Sequence, residues 1–186
     1  MVIKPVDMEN RLFSIEHFLP DELAALILDI PWDTIPWKRG EQQESWARRQ
    51  LDFMDHKVVH QFNDRVLLNK IQIEKELGIK FDYHPFTMWW YDEPGFTVAT
   101  HTDGHLPSSM QIYWNADSDM YGTTFFEYKN TNTVKHRVTC RPNFGYLMLN
   151  GPNDDGSQPL QWHGMLTPVQ KFRVSSYTNF GTYVFE

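Results

Sequence analysis

Two rhythms of hydrophobic residues divide the chain. Near the start, Pro20-Asp21-Glu22-Leu23 opens a run with Leu23, Leu26, Ile27 and Ile30 at the i, i+3, i+4, i+7 spacing of one helix face, and Pro31 stops it. A second helical rhythm runs from about His56 to Leu77, with Val59, Phe62, Val66, Leu67 and Ile73 on one side and Gly78 in the position of a C-terminal cap. From Lys80 the period falls to two. Phe86–Tyr91, Phe96–Thr102, Ser109–Asn115, Thr123–Lys129, Lys135–Cys140, Phe144–Asn150, Gln161–Leu166 and Phe172–Asn179 read as eight strands separated by Gly, Pro, Asn or Asp. This predicts one α+β domain over 1–186. Residues 1–79 form a helical support region and 80–186 a jelly-roll core of about eight strands, with the two helices packed on one sheet.

Composition narrows the partners. Seventeen Lys and Arg against 24 Asp and Glu leave a net charge of −7, so no positive field draws a phosphate backbone and nucleic acid is not an expected partner. The single cysteine, Cys140, has no partner for an internal disulfide or a thiolate metal site. Met1 to Glu9 lacks the apolar core of a signal peptide, and no run is apolar enough to span a membrane, so a soluble, cytoplasmic protein is expected.

Ala99-Thr100-His101-Thr102-Asp103-Gly104 sets a His and an Asp two apart, which on a strand means one face. A third ligand comes from Trp162-His163-Gly164, distant in sequence but on a neighbouring strand if the sheet closes. Two imidazoles and one carboxylate on one face of an octahedron leave three positions open, the set used by non-haem Fe(II) oxygenases. His105 offers a rival: His101, Asp103 and His105 could form a local site without His163.

Ten residues past His163 stands Arg173, and Arg173, Ser175 and Tyr177 share one face of the last long strand. An arginine fork with a hydroxyl beside it suits a carboxylate. That is what the far carboxylate of 2-oxoglutarate needs while its keto acid end chelates the iron, leaving one site for dioxygen.

With these residues in place the chain resembles the 2-oxoglutarate and Fe(II)-dependent dioxygenase superfamily, and within it the prolyl 4-hydroxylase-like branch. The resemblance runs from Leu12 to Gly181. It rests on the opening Leu12–Leu19 segment and the helix after it, Tyr91, Gly95 and His101-Thr102-Asp103, Ile112–Asn115 with Gly122–Phe126, Pro142 and Gly145, then His163-Gly164, Pro168-Val169 and Arg173. It implies a double-stranded β-helix of the cupin-like kind, with Tyr91 and Tyr113 lining the 2-oxoglutarate pocket. It further implies hydroxylation of an amino acid, prolyl or peptidyl group, or small molecule, with release of succinate and CO2. Thr123 stands where the branch often has an acidic residue, and Arg173 with Ser175 is similar to the Arg-x-Ser of small-molecule oxygenases. Asp103 favours hydroxylation over halogenation, because related halogenases have a small residue there.

Two other classes fit parts of this pattern. A cupin-like metal-binding or isomerase domain would use the same three ligands without 2-oxoglutarate, and a jelly-roll interaction module would bind no Fe(II). Trp32–Phe53 and Pro107-Ser108 are expected at the rim, where Trp37, Trp46, Trp89 and Trp90 could pack a substrate.

Overall fold

The computed structural model describes residues 1–35, 47–51, 57–103, 106–116, 119–127, 133–151 and 161–186. Both expected helices form. Helix α1 spans Asp21–Leu28, with Asp21 and Glu22 in its first turn, where the helix dipole favours negative charge, and with Ala24 and Ile27 buried. Helix α2 spans Lys57–Leu77 and buries Val59, Phe62, Val66 and Ile73, a single stripe at helical spacing. Gly78 ends it at φ +62°, a left-handed conformation that costs a glycine little.

Short runs rich in β-branched and aromatic residues make the strands. In chain order they are β1 Val2–Asp7, β2 Leu12–Glu16, β3 Arg48–Leu51, β4 Ile79–Phe81, β5 Phe86–Asp92, β6 Ser108–Ala116, β7 Thr123–Phe126, β8 Val134–Val138, β9 Phe144–Leu149, β10 Trp162–Gly164, β11 Arg173–Asn179 and β12 Tyr183–Phe185. They pair antiparallel into a major sheet of order β1-β2-β9-β6-β11-β5-β3, a smaller sheet β10-β7-β8, and a β12-β4 ribbon.

The major sheet is covered on both faces, which is why every residue of β9 is buried. One face meets the helices. There Phe62 lies edge-on to Trp89 and Trp114 at 5.0 and 5.6 Å between ring centroids, and Trp32 stacks on Trp89 at 5.2 Å. The other face, through Leu12, Tyr113, Phe144, Tyr146 and Met148, packs on Phe125 and Val138 of the smaller sheet. The result is a sandwich with an α layer outside it and a second, more polar interior between the sheets. Neither helix is long and apolar enough to cross a membrane among the described residues.

Two expectations need correction. Phe96–Thr102 is not a strand. Gly95 turns the chain at φ +90°, and the segment is then pinned at intervals, by Val169 N to Phe96 O at 2.9 Å and Met165 N to Val98 O at 3.0 Å, without a continuous ladder. Pro168 in the opposing stretch has no N–H to extend one. Nor is the first part of the chain purely helical support, since it lends β1, β2 and β3 to the major sheet.

Candidate metal centre and the polar network behind it

His101 and His163 face each other as an isolated antiparallel bridge. His101 N donates to His163 O at 2.9 Å and His163 N donates to His101 O at 2.8 Å. Backbone pairing therefore fixes how far apart two distant imidazoles sit, and their ring centroids are 4.4 Å apart. Gly164 permits the approach: a Cβ there would stand 2.8 Å from the Val98 carbonyl oxygen.

Each imidazole is tied in the same way. The Nδ1 of His101 lies 2.8 Å from Ala99 O and that of His163 lies 2.9 Å from Gln161 O. A carbonyl can only accept, so Nδ1 carries the proton in both rings and Nε2 is left with its lone pair. Those lone pairs turn toward Asp103, whose Oδ1 is 3.3 Å from His101 Nε2 and whose Oδ2 is 3.6 Å from His163 Nε2. One ligand atom from each of the three residues falls within 4.8 Å of the other two. The donor set, two imidazole nitrogens and a carboxylate oxygen held on one side of a point, fits a divalent ion of octahedral preference.

Electrostatics match that use. The protonated His101 ring can donate to the Asp103 carboxylate, which raises its pKa above the ordinary value, while burial lowers that of His163. The deeper imidazole is thus held neutral, the form that ligates. Tyr177 donates from its hydroxyl to Asp103 Oδ2 at 3.4 Å, a long contact that steadies the carboxylate.

Arg173 lies behind this cluster, 2% exposed. Strand pairing sets it opposite Asp92, and the guanidinium grips that carboxylate through Nε at 2.8 Å and Nη2 at 2.6 Å, while Nη1 donates to Tyr121 O. Arg48 on β3 binds the same carboxylate from the other side, through Nε at 2.5 Å and Nη2 at 3.1 Å. Burial works to raise the Asp92 pKa, but the two guanidiniums more than offset it and hold the group below its ordinary value. Two cations on one anion leave the cluster with one net positive charge.

A chain of side-chain hydrogen bonds crosses the interior beside it. Gln111 Nε2 donates to Ser175 Oγ at 3.1 Å, Tyr146 OH donates to Gln111 Oε1 at 2.8 Å, and Thr123 Oγ1 lies 3.4 Å from that hydroxyl and 2.7 Å from Tyr113 OH. All five side chains are buried. Burial raises the pKa of both tyrosines, so they serve as neutral hydroxyls. Trp90 Nε1, a buried donor on this face, has no acceptor among the described residues.

The structure thus brings His101, Asp103 and His163 together and puts Arg173, Ser175 and Tyr113 on the interior face. It does not bring Tyr91 there. Alternation along β5 turns Tyr91 to the helix side with Trp89, where it stacks on Phe172 at 5.4 Å, while its neighbours Trp90 and Asp92 face inward. His105, Trp37, Trp46 and Phe53 lie outside the described residues. Sequence reasoning passed over Arg48, Asp92, Gln111 and Tyr146. Their signal was a polar or charged residue at an inward position of a strand, and for Gln111 and Asp92 it was readable from the period of two.

No protein-family model matches the sequence, and no curated protein sequence matches it. Solved structures do. A Pseudomonas putida prolyl-4-hydroxylase is similar with a TM-score of 0.63 and 16% identity, covering 94% of each chain. The viral collagen prolyl hydroxylase of Paramecium Bursaria Chlorella virus-1, in its 2OG complex, is similar with a TM-score of 0.64 and 12% identity, covering 96% of this chain and 99% of that one. This chain therefore has a prolyl 4-hydroxylase-like fold.

Proposed function

We propose that the chain is a mononuclear Fe(II) oxygenase that uses 2-oxoglutarate as co-substrate. It would hydroxylate an amino acid, a prolyl or peptidyl group, or a small molecule, releasing succinate and CO2. The grouping of His101, Asp103 and His163 inside a prolyl-hydroxylase-like fold carries this reading. We read the two packed sheets as a double-stranded β-helix of about eight core strands, with the site in its interior.

In this reading the Nε2 atoms of His101 and His163 and the carboxylate of Asp103 hold Fe(II). The bound ion, with 2-oxoglutarate and dioxygen, supplies the oxidising chemistry that decarboxylates the keto acid and hydroxylates an unactivated C–H bond. The protein's part is orientation and dryness. Ala99 and Gln161 carbonyls fix both imidazoles, and Tyr177 steadies the carboxylate. Arg173 meets the distal carboxylate of the co-substrate, since its bonds to Asp92 and Tyr121 leave one N–H on each Nη. Ser175 and Tyr113 supply hydroxyls on the same face.

One observation favours a second reading, the cupin-like domain that does without 2-oxoglutarate: Arg173 is already engaged by Asp92 and Tyr121 O. Succinate release from 2-oxoglutarate, assayed on iron-loaded protein with a panel of amino acids and peptides, separates the two. We expect turnover that Arg173→Ala abolishes. Fe(II) binding that is indifferent to Arg173→Ala, with no succinate released, would favour the second reading, and protein that binds neither Fe(II) nor 2-oxoglutarate would refute the first.

A further inference from the structure

The positive charge behind the metal cluster is not the property of one arginine. Arg48 and Arg173 come from strands on either side of β5 and grip one carboxylate, Asp92, which has no exposed surface. They also share an aromatic wall. The Arg48 guanidinium lies 4.1 Å and that of Arg173 5.7 Å from the centre of the Phe96 ring, and Arg48 is covered on another side by Trp90 at 3.9 Å.

Two cations against one anion, all nearly buried, are an arrangement that water cannot fully solvate and that no other described residue is seen to neutralise. One further negative charge would balance it. The donors are also unequally used. Arg48 spends Nε and Nη2 on Asp92, and Nη1 has no acceptor among the described residues. Trp90 Nε1, on the ring that Arg48 covers, is buried and unpaired among them. A cluster rich in donors and one charge short of neutral suits a group that only accepts and bears a single negative charge.

We infer that the distal carboxylate of the co-substrate is received by a two-guanidinium clamp, Arg48 and Arg173, which Asp92 holds in register. The inference rests on the reading of the site as one for 2-oxoglutarate and extends it to Arg48, on the edge strand β3. In the clamp Arg48 is a binding residue and Asp92 a positioning one. Asp92 also sets the charge selectivity, because with it in place the clamp is balanced by one carboxylate and not by two.

Calorimetric binding to Mn(II)-loaded protein tests this without turnover. The probes are 2-oxoglutarate and its 5-methyl ester, which keeps the chelating end and removes the distal charge. The unaltered protein should prefer the diacid by at least about tenfold, the scale of one charge-assisted hydrogen bond. Arg48→Gln should reduce that preference about tenfold by weakening the diacid and leaving the ester alone. Arg48→Lys, which keeps the charge and the fold but lacks a fork to serve Asp92 and ligand together, should fall between.

Three results overturn the inference: equal affinity of the unaltered protein for diacid and ester, an unchanged preference in both variants, or equal weakening of both ligands, which marks a structural role. If 2-oxoglutarate itself fails to bind the unaltered protein, the co-substrate reading falls and the clamp with it, an outcome distinct from the other three.

Discussion

Replacing Asp92 by asparagine keeps the outline of the side chain and removes its charge. In the native interior this carboxylate accepts from Arg48 Nε and Nη2 and from Arg173 Nε and Nη2, at distances of 2.5 to 3.1 Å. Its loss leaves two guanidiniums confronting each other where water has little access. Removing one partner of a buried ion pair costs about 3–5 kcal/mol, a large share of a total stability on the order of 5–15 kcal/mol. With a urea m-value of about 2 kcal/mol/M, a loss of about 4 kcal/mol lowers the unfolding midpoint by about 2 M. The sign with pH follows from the depressed pKa of Asp92. Its stabilisation is complete above the unfolded value near about 4 and is lost as the pH falls through the lower, folded value. The gap between the two proteins should therefore be widest above about pH 4 and narrow below it. Equilibrium urea unfolding followed by tryptophan fluorescence, repeated from about pH 3 to about pH 8, reads both effects. A midpoint shift under about 0.3 M at neutral pH, or a gap indifferent to pH, would show that Asp92 is not the counter-ion of the two arginines.

Other perturbations separate the site from the scaffold. His163→Ala should weaken Fe(II) or Mn(II) binding by more than about 100-fold in anaerobic calorimetry, since even second-layer changes around metal ligands cost tenfold or more; retained affinity would place the ion elsewhere. Tyr177→Phe removes only the hydroxyl that touches Asp103 and should lower metal affinity about tenfold, and an unaltered affinity would mean that the 3.4 Å contact carries nothing. Phe62→Ala opens a hole between α2 and the tryptophans of the major sheet and should cost about 3–5 kcal/mol in urea unfolding. Because that core lies across the sheet from the metal cluster, the folded variant should still bind Mn(II) normally, and a lost site would tie the two faces together.

Much of this was legible in the sequence because side-chain period is a local property. The stripe of Val59, Phe62, Val66 and Ile73 announces a helix with one buried face, and alternation around Tyr113 and Ser175 announces which residues look inward. His101 and Asp103 were readable as a pair from their spacing, and His163 from the chemistry that a third ligand had to supply. Resemblance failed where period should have ruled: the family pattern assigns Tyr91 to the pocket, yet its parity along β5 sends it to the helices. Strand Phe96–Thr102 failed for a different reason, since a run of suitable residues makes a ladder only if the partner can donate, and Pro168 interrupts it. Arg48 was hidden because its meaning is pairwise. A charged residue on a short edge strand reads as solvent-facing until its partner on the neighbouring strand is known.

The reciprocal backbone bonds between residues 101 and 163 give an ion held there a mechanical role besides its chemical one. Anchoring both imidazoles to a common centre would cross-link points about 60 residues apart, and by the chain-entropy argument used for disulfides such a tether is worth on the order of 4 kcal/mol against unfolding. Loading with metal should therefore raise the melting temperature, and chelation should loosen first the short strand that carries residue 163. The same staple that readies the chain for chemistry would then decide how long it survives heating.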